Sequence, residues 1–130
     1  MPDRRSVGRT AEDRAAEHIL GLGYTLVTRR HAMRGGELDL VALDGNTVVF
    51  VEVRQRSGAG QSPEESIDDR KAKHLARAAE RYMREMGDKR PIRFDLVAID
   101  PDGLRHHKDF FRPGYSVARD ASAFDTPDDE

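Results

Sequence analysis

The chain has 130 residues, enough for one domain around a single core, and its 37% hydrophobic and 35% charged residues describe a folded, highly charged protein. It has no cysteine, which excludes thiolate metal sites, thiol catalysis and disulfides. The formal charge of −2 hides an uneven distribution: residues 120–130 carry five acids and no Lys or Arg, and setting their −5 aside leaves +3 on the other 119.

No apolar run approaches the ~20 residues of a membrane span, and no apolar segment follows the basic start as in a signal peptide. The expectation is a cytoplasmic protein with no membrane association. A mildly basic body ahead of an acidic tail is compatible with a nucleic-acid partner.

From Gly8 to Leu22 the spacing of Ala11, Ala15, Ile19 and Leu22 predicts a helix ending at Gly21 and Gly23. Glu12 falls on the apolar face of that helix. Glu17 lies about 140° further round and faces solvent. Glu12 is therefore the inward acid, unless it only complements the helix dipole in the first turn. Tyr24 to Arg30 alternates and is rich in β-branched residues, so it reads as a strand, with His31 to Gly36 as a connection.

Residues 37–56 form the most informative stretch. Two runs of Val, Leu and Phe flank Asp44-Gly45-Asn46, the signature of a β-hairpin. With Gly45-Asn46 as the loop, Asp44 faces Thr47, Asp39 faces Glu52 and Glu37 faces Arg54. With Asp44-Gly45 as the loop, Asp39 faces Phe50 and Glu37 faces Glu52. Both registers set residues 37, 39, 52 and 54 on one face, because side chains alternate with a period of two. Opposed Cβ atoms stand about 4.5–5.5 Å apart, so two carboxylates there repel unless a cation or proton lies between them. The alternative without a metal is a Glu37–Arg54 ion pair, with Asp39 and Glu52 capping nearby backbone.

Ser57 to Ser62 reads as a loop. Two candidate capping boxes, starting at Ser62 and at Ser66, leave the next helix's start open. Its expected core stripe is Ile67, Leu75, Ala78, Tyr82 and Met86, with Lys71 in the stripe and pointing toward the sheet. Most of its other charges read as a solvated face. Phe94 to Ile99 is the fourth strand, Asp100 to Gly103 a turn, and Leu104 to Phe111 a weaker fifth strand. His106 and His107, adjacent in a strand, point to opposite faces and read as surface residues. Asp95 has no visible partner and reads as a structural cap.

Gly8-x-x-Ala11-Glu12, Gly23-Tyr24, Gly36-Glu37-Leu38-Asp39-Leu40, Val51-Glu52-Val53-Arg54-x-Arg56 and Lys71 in a helix resemble the YraN-like bacterial family. That family is similar to PD-(D/E)xK nucleases and archaeal Holliday junction resolvases. The resemblance covers about residues 8–100 and implies an α/β, restriction-endonuclease-like (αβββαβ) core, a mixed central sheet flanked by helices. Residues 1–119 would be one nuclease-like domain with its core at about 8–111, followed by the acidic tail at 120–130.

Carried over residue by residue, the resemblance implies Asp39, Glu52 and the backbone carbonyl of Val53 as ligands of Mg²⁺ or Mn²⁺. It implies Glu12 as an accessory acid and Arg54 and Lys71 beside the metal ligands as catalytic groups. Arg34, Arg54, Arg56 and Lys71 would contact nucleic acid. Hard oxygen donors suit these ions. The expected function is a metal-dependent endodeoxyribonuclease-fold protein that binds structured or branched DNA, as a homodimer by analogy. Whether it cleaves turns on Arg54, which stands where PD-(D/E)xK nucleases have their lysine, though YraN-like sequences take either residue, and which keeps its proton at neutral pH. A nucleic-acid-binding module without catalysis and a protein-interaction module that retains the fold are the other two readings.

Overall fold

The computed structural model describes residues 10–34 and 36–112. Its elements are α1 (Ala11–Gly21), β1 (Thr25–Met33), β2 (Gly36–Asp44), β3 (Thr47–Gln55), a 3-10 turn (Glu64–Ser66), α2 (Asp69–Met86), β4 (Ile92–Asp100) and β5 (Gly103–Phe111). The strands lie side by side in sequence order. All neighbours are antiparallel except β3 and β4, which run parallel and are joined by α2 as their crossover. Helix, three strands, helix, strand is the restriction-endonuclease-like core, within an α/β fold whose mixed sheet has one helix on each face.

Two apolar clusters explain why the hairpin is hydrophobic on both faces. Under α2, Val41, Val48, Phe50, Phe94, Leu96 and Ala98 pack against Ala72, Leu75, Ala79, Tyr82 and Met83. Under α1, Leu40, Ala42, Val49, Val51, Val97 and Ile99 pack against Ala15, Ala16 and Ile19. Strands covered on both sides lose the in–out polarity of a half-exposed sheet. Asp44 pairs with Thr47, so the hairpin takes the Gly45-Asn46 loop, and Gly45 has φ 60°.

Several boundaries differ from the sequence expectation. His31 to Met33 extend β1 instead of forming a connection, because His31 pairs with Leu38 and Met33 with Gly36. Of the two candidate caps, Ser62 closes a reciprocal box with Glu65 on the 3-10 turn. The helix itself starts one turn later, where Asp68 accepts the Lys71 amide. Within the helix the buried stripe is Ala72, Leu75, Ala79, Tyr82 and Met83, and Met86 is 54% exposed. The acidic tail at 120–130 lies outside the described residues, and no helix among the described residues is long and apolar enough to cross a membrane.

Candidate metal and phosphate centre

The site arises where the β2–β3 ladder stops. Paired residues run from Asp44–Thr47 to Leu40–Val51, and Asp39 has no ladder partner in β3. Leu38 packs under α2 while Leu40 packs under α1. In a regular strand residues two apart share a face, so the alternation of β2 breaks at Asp39. The opposite rung in β1 is irregular too: Arg30 sits between the paired Arg29–Leu40 and His31–Leu38 and has φ 52°. A non-glycine residue in the left-handed region is uncommon, and such backbone collects at functional sites. Asp39 turns its carboxylate onto the neighbouring strand, where its Oδ2 accepts the Val53 N–H at 3.0 Å.

Around Asp39 the carboxylates converge. Glu12 from α1 and Glu37 and Asp39 from β2 each offer an oxygen within 4.8 Å of the others. The Glu12 carboxyl is pushed up by burial, held back by Arg30 and raised again by Asp39 and Glu37. Arg30 Nε lies 3.1 Å from Glu12 Oε1. On β3 the buried Glu52 reaches Asp39 from the other side. Burial first, and then the charge of Asp39 together with a hydrogen bond to it, push the Glu52 carboxyl up to about 8. Two cations oppose that shift: Lys71 Nζ at 3.6 Å and Arg54 Nη2 at 3.3 Å from Glu52 Oε2. A small cavity beside Asp39 and Glu52 is floored by Leu38, Phe50, Leu75 and Phe94.

A family model for the uncharacterised protein family UPF0102 matches residues 11–99, a span that includes every one of these groups. UPF0102 proteins of Stutzerimonas stutzeri, Pseudomonas entomophila and Persephonella marina are 42%, 48% and 36% identical to this chain. The alignments cover 88%, 79% and 83% of this chain and 98%, 88% and 95% of theirs. The chain belongs to the UPF0102 family. This is the family to which the YraN-like motifs point.

In this UPF0102 chain the two halves of the expected site are arranged differently from the one-face expectation. The alternative Glu37–Arg54 ion pair is absent among the described residues, because pairing stops before it, and Arg54 turns to Glu52 instead. Glu37 joins Glu12 and Asp39, a role that sequence reasoning missed although it had set Glu37 and Asp39 two apart on one face. Arg30 was also missed; nothing in the local sequence marks it, since its contact with Glu12 exists only once α1 docks. Glu17, by contrast with Glu12, is exposed.

Arg56 lies beyond the centre, its Nη1 donating to the Gln55 carbonyl at 2.8 Å beside the loop of Gly58 to Ser62. Arg34 is exposed in the β1–β2 turn, and its carbonyl accepts Arg81 Nη1 at 2.9 Å from α2. The surface reading of His106 needs correcting, and Asp95, read as a structural cap without a visible partner, has several. His106 is a buried side chain whose Nε2 lies 2.8 Å from Asp95 Oδ2 and whose Nδ1 lies 3.1 Å from His18 Nε2. Asp95 is fully buried and fully partnered, by Arg93, His106 and the Asp109 N–H. Burial opposes its ionisation, and these three donors outweigh it and keep the carboxyl low. Their partners come from β4, β5 and α1, distances a strand pattern does not encode. His107 does point to the other face, to Glu64 at 2.8 Å.

The donor set fits a hard divalent cation. All its donors are carboxylate oxygens, and their mutual repulsion is what an ion of +2 charge relieves. Glu12, Glu37 and Asp39 would hold it, with Glu52 on its flank. Arg54 Nε is buried without a hydrogen-bond partner among the described residues, and is a donor available to a phosphate oxygen.

Proposed function

We propose that this chain is a metal-dependent nuclease-fold protein that binds structured or branched DNA and hydrolyses its phosphodiester bonds. The observation that carries the reading is the carboxylate convergence at Asp39, where acids from α1 and β2 lie within 4.8 Å of one another and Glu52 adds a fourth from β3. Mg²⁺ or Mn²⁺ bound there supplies Lewis-acid activation of water and neutralises charge on the phosphate in flight.

The chain's own groups divide the remaining work. Asp39, fixed by the Val53 amide, is the group all the other acids meet, and the backbone of Val53 lies beside it for a further oxygen contact. Arg54 and Lys71, both near Glu52, bind the phosphate and stabilise developing negative charge. Arg54 keeps its proton and has no lone pair to take up another, so base catalysis does not fall to it. Glu12 and Glu37 tune the charge of the centre and position its ligands.

Wild type and Asp39→Asn, each incubated with Mn²⁺ and a labelled four-way junction, test the reading. Cleavage by wild type, reduced at least about 10²-fold in the variant, is the expected result. Equal cleavage by both, or none by either, overturns the catalytic part. Arg54 in place of lysine favours one second reading, a nucleic-acid-binding module without cleavage. Junction binding that ignores metal and survives Asp39→Asn selects it.

A further inference from the structure

The cations of α2 are sorted by face, with Asp69, Glu80 and Glu85 at the edges of their stripe. At 3.6 residues per turn, Arg70, Lys73, Arg77, Arg81 and Arg84 fall within about 80° of one another. The buried Ala72, Leu75, Ala79, Tyr82 and Met83 lie on nearly the opposite side. All five cations are exposed. Their span of 14 residues is about 21 Å of helix, the axial length of about six base pairs.

Elsewhere cations are spent on acids: Arg29 on Asp13, Arg30 on Glu12, Arg90 on Asp88, Arg93 on Asp95 and Arg105 on Glu64. Among the described residues none of the five stripe cations forms an ion pair, although Glu80 and Glu85 lie on the same helix. Glu80 and Glu85 only partly offset the repulsion along such a row, and its net positive charge is the complement of a row of phosphates. The row starts beside Lys71, which touches Glu52, and Arg81 ties it to the β1–β2 turn that carries Arg34.

The kind of strand follows from the aromatics. Proteins that hold single strands stack bases on exposed rings. Here Tyr24, Phe50, Tyr82, Phe94, Phe110 and Phe111, all the Phe and Tyr among the described residues, are buried. No described Phe or Tyr ring offers a stacking platform, and the exposed His74 ring on α2 lies against Gly36, so the groups that recognise this partner are chiefly cations.

We propose that the outward face of α2 is a tracking surface for the phosphate backbone of a double helix, which leads the duplex to the carboxylate centre. It rests on the nucleic-acid part of the reading above and is independent of cleavage.

Fluorescence anisotropy without divalent metal, over about 50–200 mM salt, separates the two. The probes are a DNA duplex, an RNA duplex and a single strand of the same sequence. The triple variant Lys73→Gln, Arg77→Gln, Arg84→Gln is expected to lower the slope of log affinity against log salt by about 2–3. Arg14→Gln, on α1 across the sheet, is expected to leave it unchanged. The single strand is expected to bind about tenfold more weakly than a duplex, and the two duplexes together report whether the deoxyribose matters. An unchanged slope in the triple variant, an equal fall with Arg14→Gln, tighter binding of the single strand, or no binding by wild type overturns the proposal. Circular dichroism melts accompany each variant. If the triple variant does not fold, Arg77→Gln alone is expected to lower the slope by about 1, and an unchanged slope there counts the same way.

Discussion

Two glutamates in this chain are displaced in opposite directions, and the difference is a matter of neighbours. Glu52 is buried against another carboxylate and goes up, whereas Glu64 is bound by the Arg105 guanidinium and His107 and is pulled down to about 2. Glu64 meets Arg105 at 2.7 Å and anchors the 3-10 turn ahead of α2 to β5. A carboxyl lowered on folding contributes stability that is fully present above its unfolded value and is lost as pH falls through the folded one. For Glu64 that window runs from about 4.5 down to about 2. With its side chain 22% exposed, the contribution after screening is about 1–2 kcal/mol. Urea midpoints at neutral pH and near about pH 3 are expected to differ less in Glu64→Gln than in wild type. An unchanged difference counts against the ion pair. Sequence reading at this scale found the inward Glu12 from helix phase alone, and missed Arg30 and the partners of Asp95, since both depend on which elements dock.

Among the elements, α2 links stability to the site. Its N-cap Asp68 accepts the Lys71 amide at 2.8 Å, so the bond that starts the helix also fixes the residue whose Nζ approaches Glu52. Asp68→Ala is expected to cost about 1 kcal/mol and, by fraying the turn that holds Lys71, to weaken junction binding as well. Urea denaturation reads the first effect and anisotropy the second; a variant as stable as wild type would show that the cap is carried by other groups. The hairpin was legible because its turn chemistry and its apolar runs agree. The end of β1 and the start of α2 were not. In both places competing local signals, a Gly-Gly pair and two capping boxes, were decided by long-range pairing with β2 and by burial of Ala72, Ala79 and Met83.

For the molecule as a whole, one chain presents one carboxylate centre. If the chain cuts four-way junctions as proposed, their two-fold symmetry asks for two symmetric incisions and so for a symmetric pair of chains. Light scattering on the junction complex is expected to give two chains per junction, and a single chain per junction would sink the dimer. What the sequence determined by itself was whatever repeats locally: the order of helices and strands, the hairpin and its turn, the inward phase of Glu12 and Lys71, and the acids at one end of the hairpin. Periodicity and turn chemistry act over a few residues, and they suffice for that. Tertiary structure alone decided how those acids meet. The ladder between β2 and β3 ends at Leu40–Val51, the alternation of β2 breaks at Asp39 opposite the left-handed Arg30, and α1 docks to bring Glu12 in. A strand's regular period predicts faces only while its neighbour keeps pairing with it, and the site lies where that pairing stops.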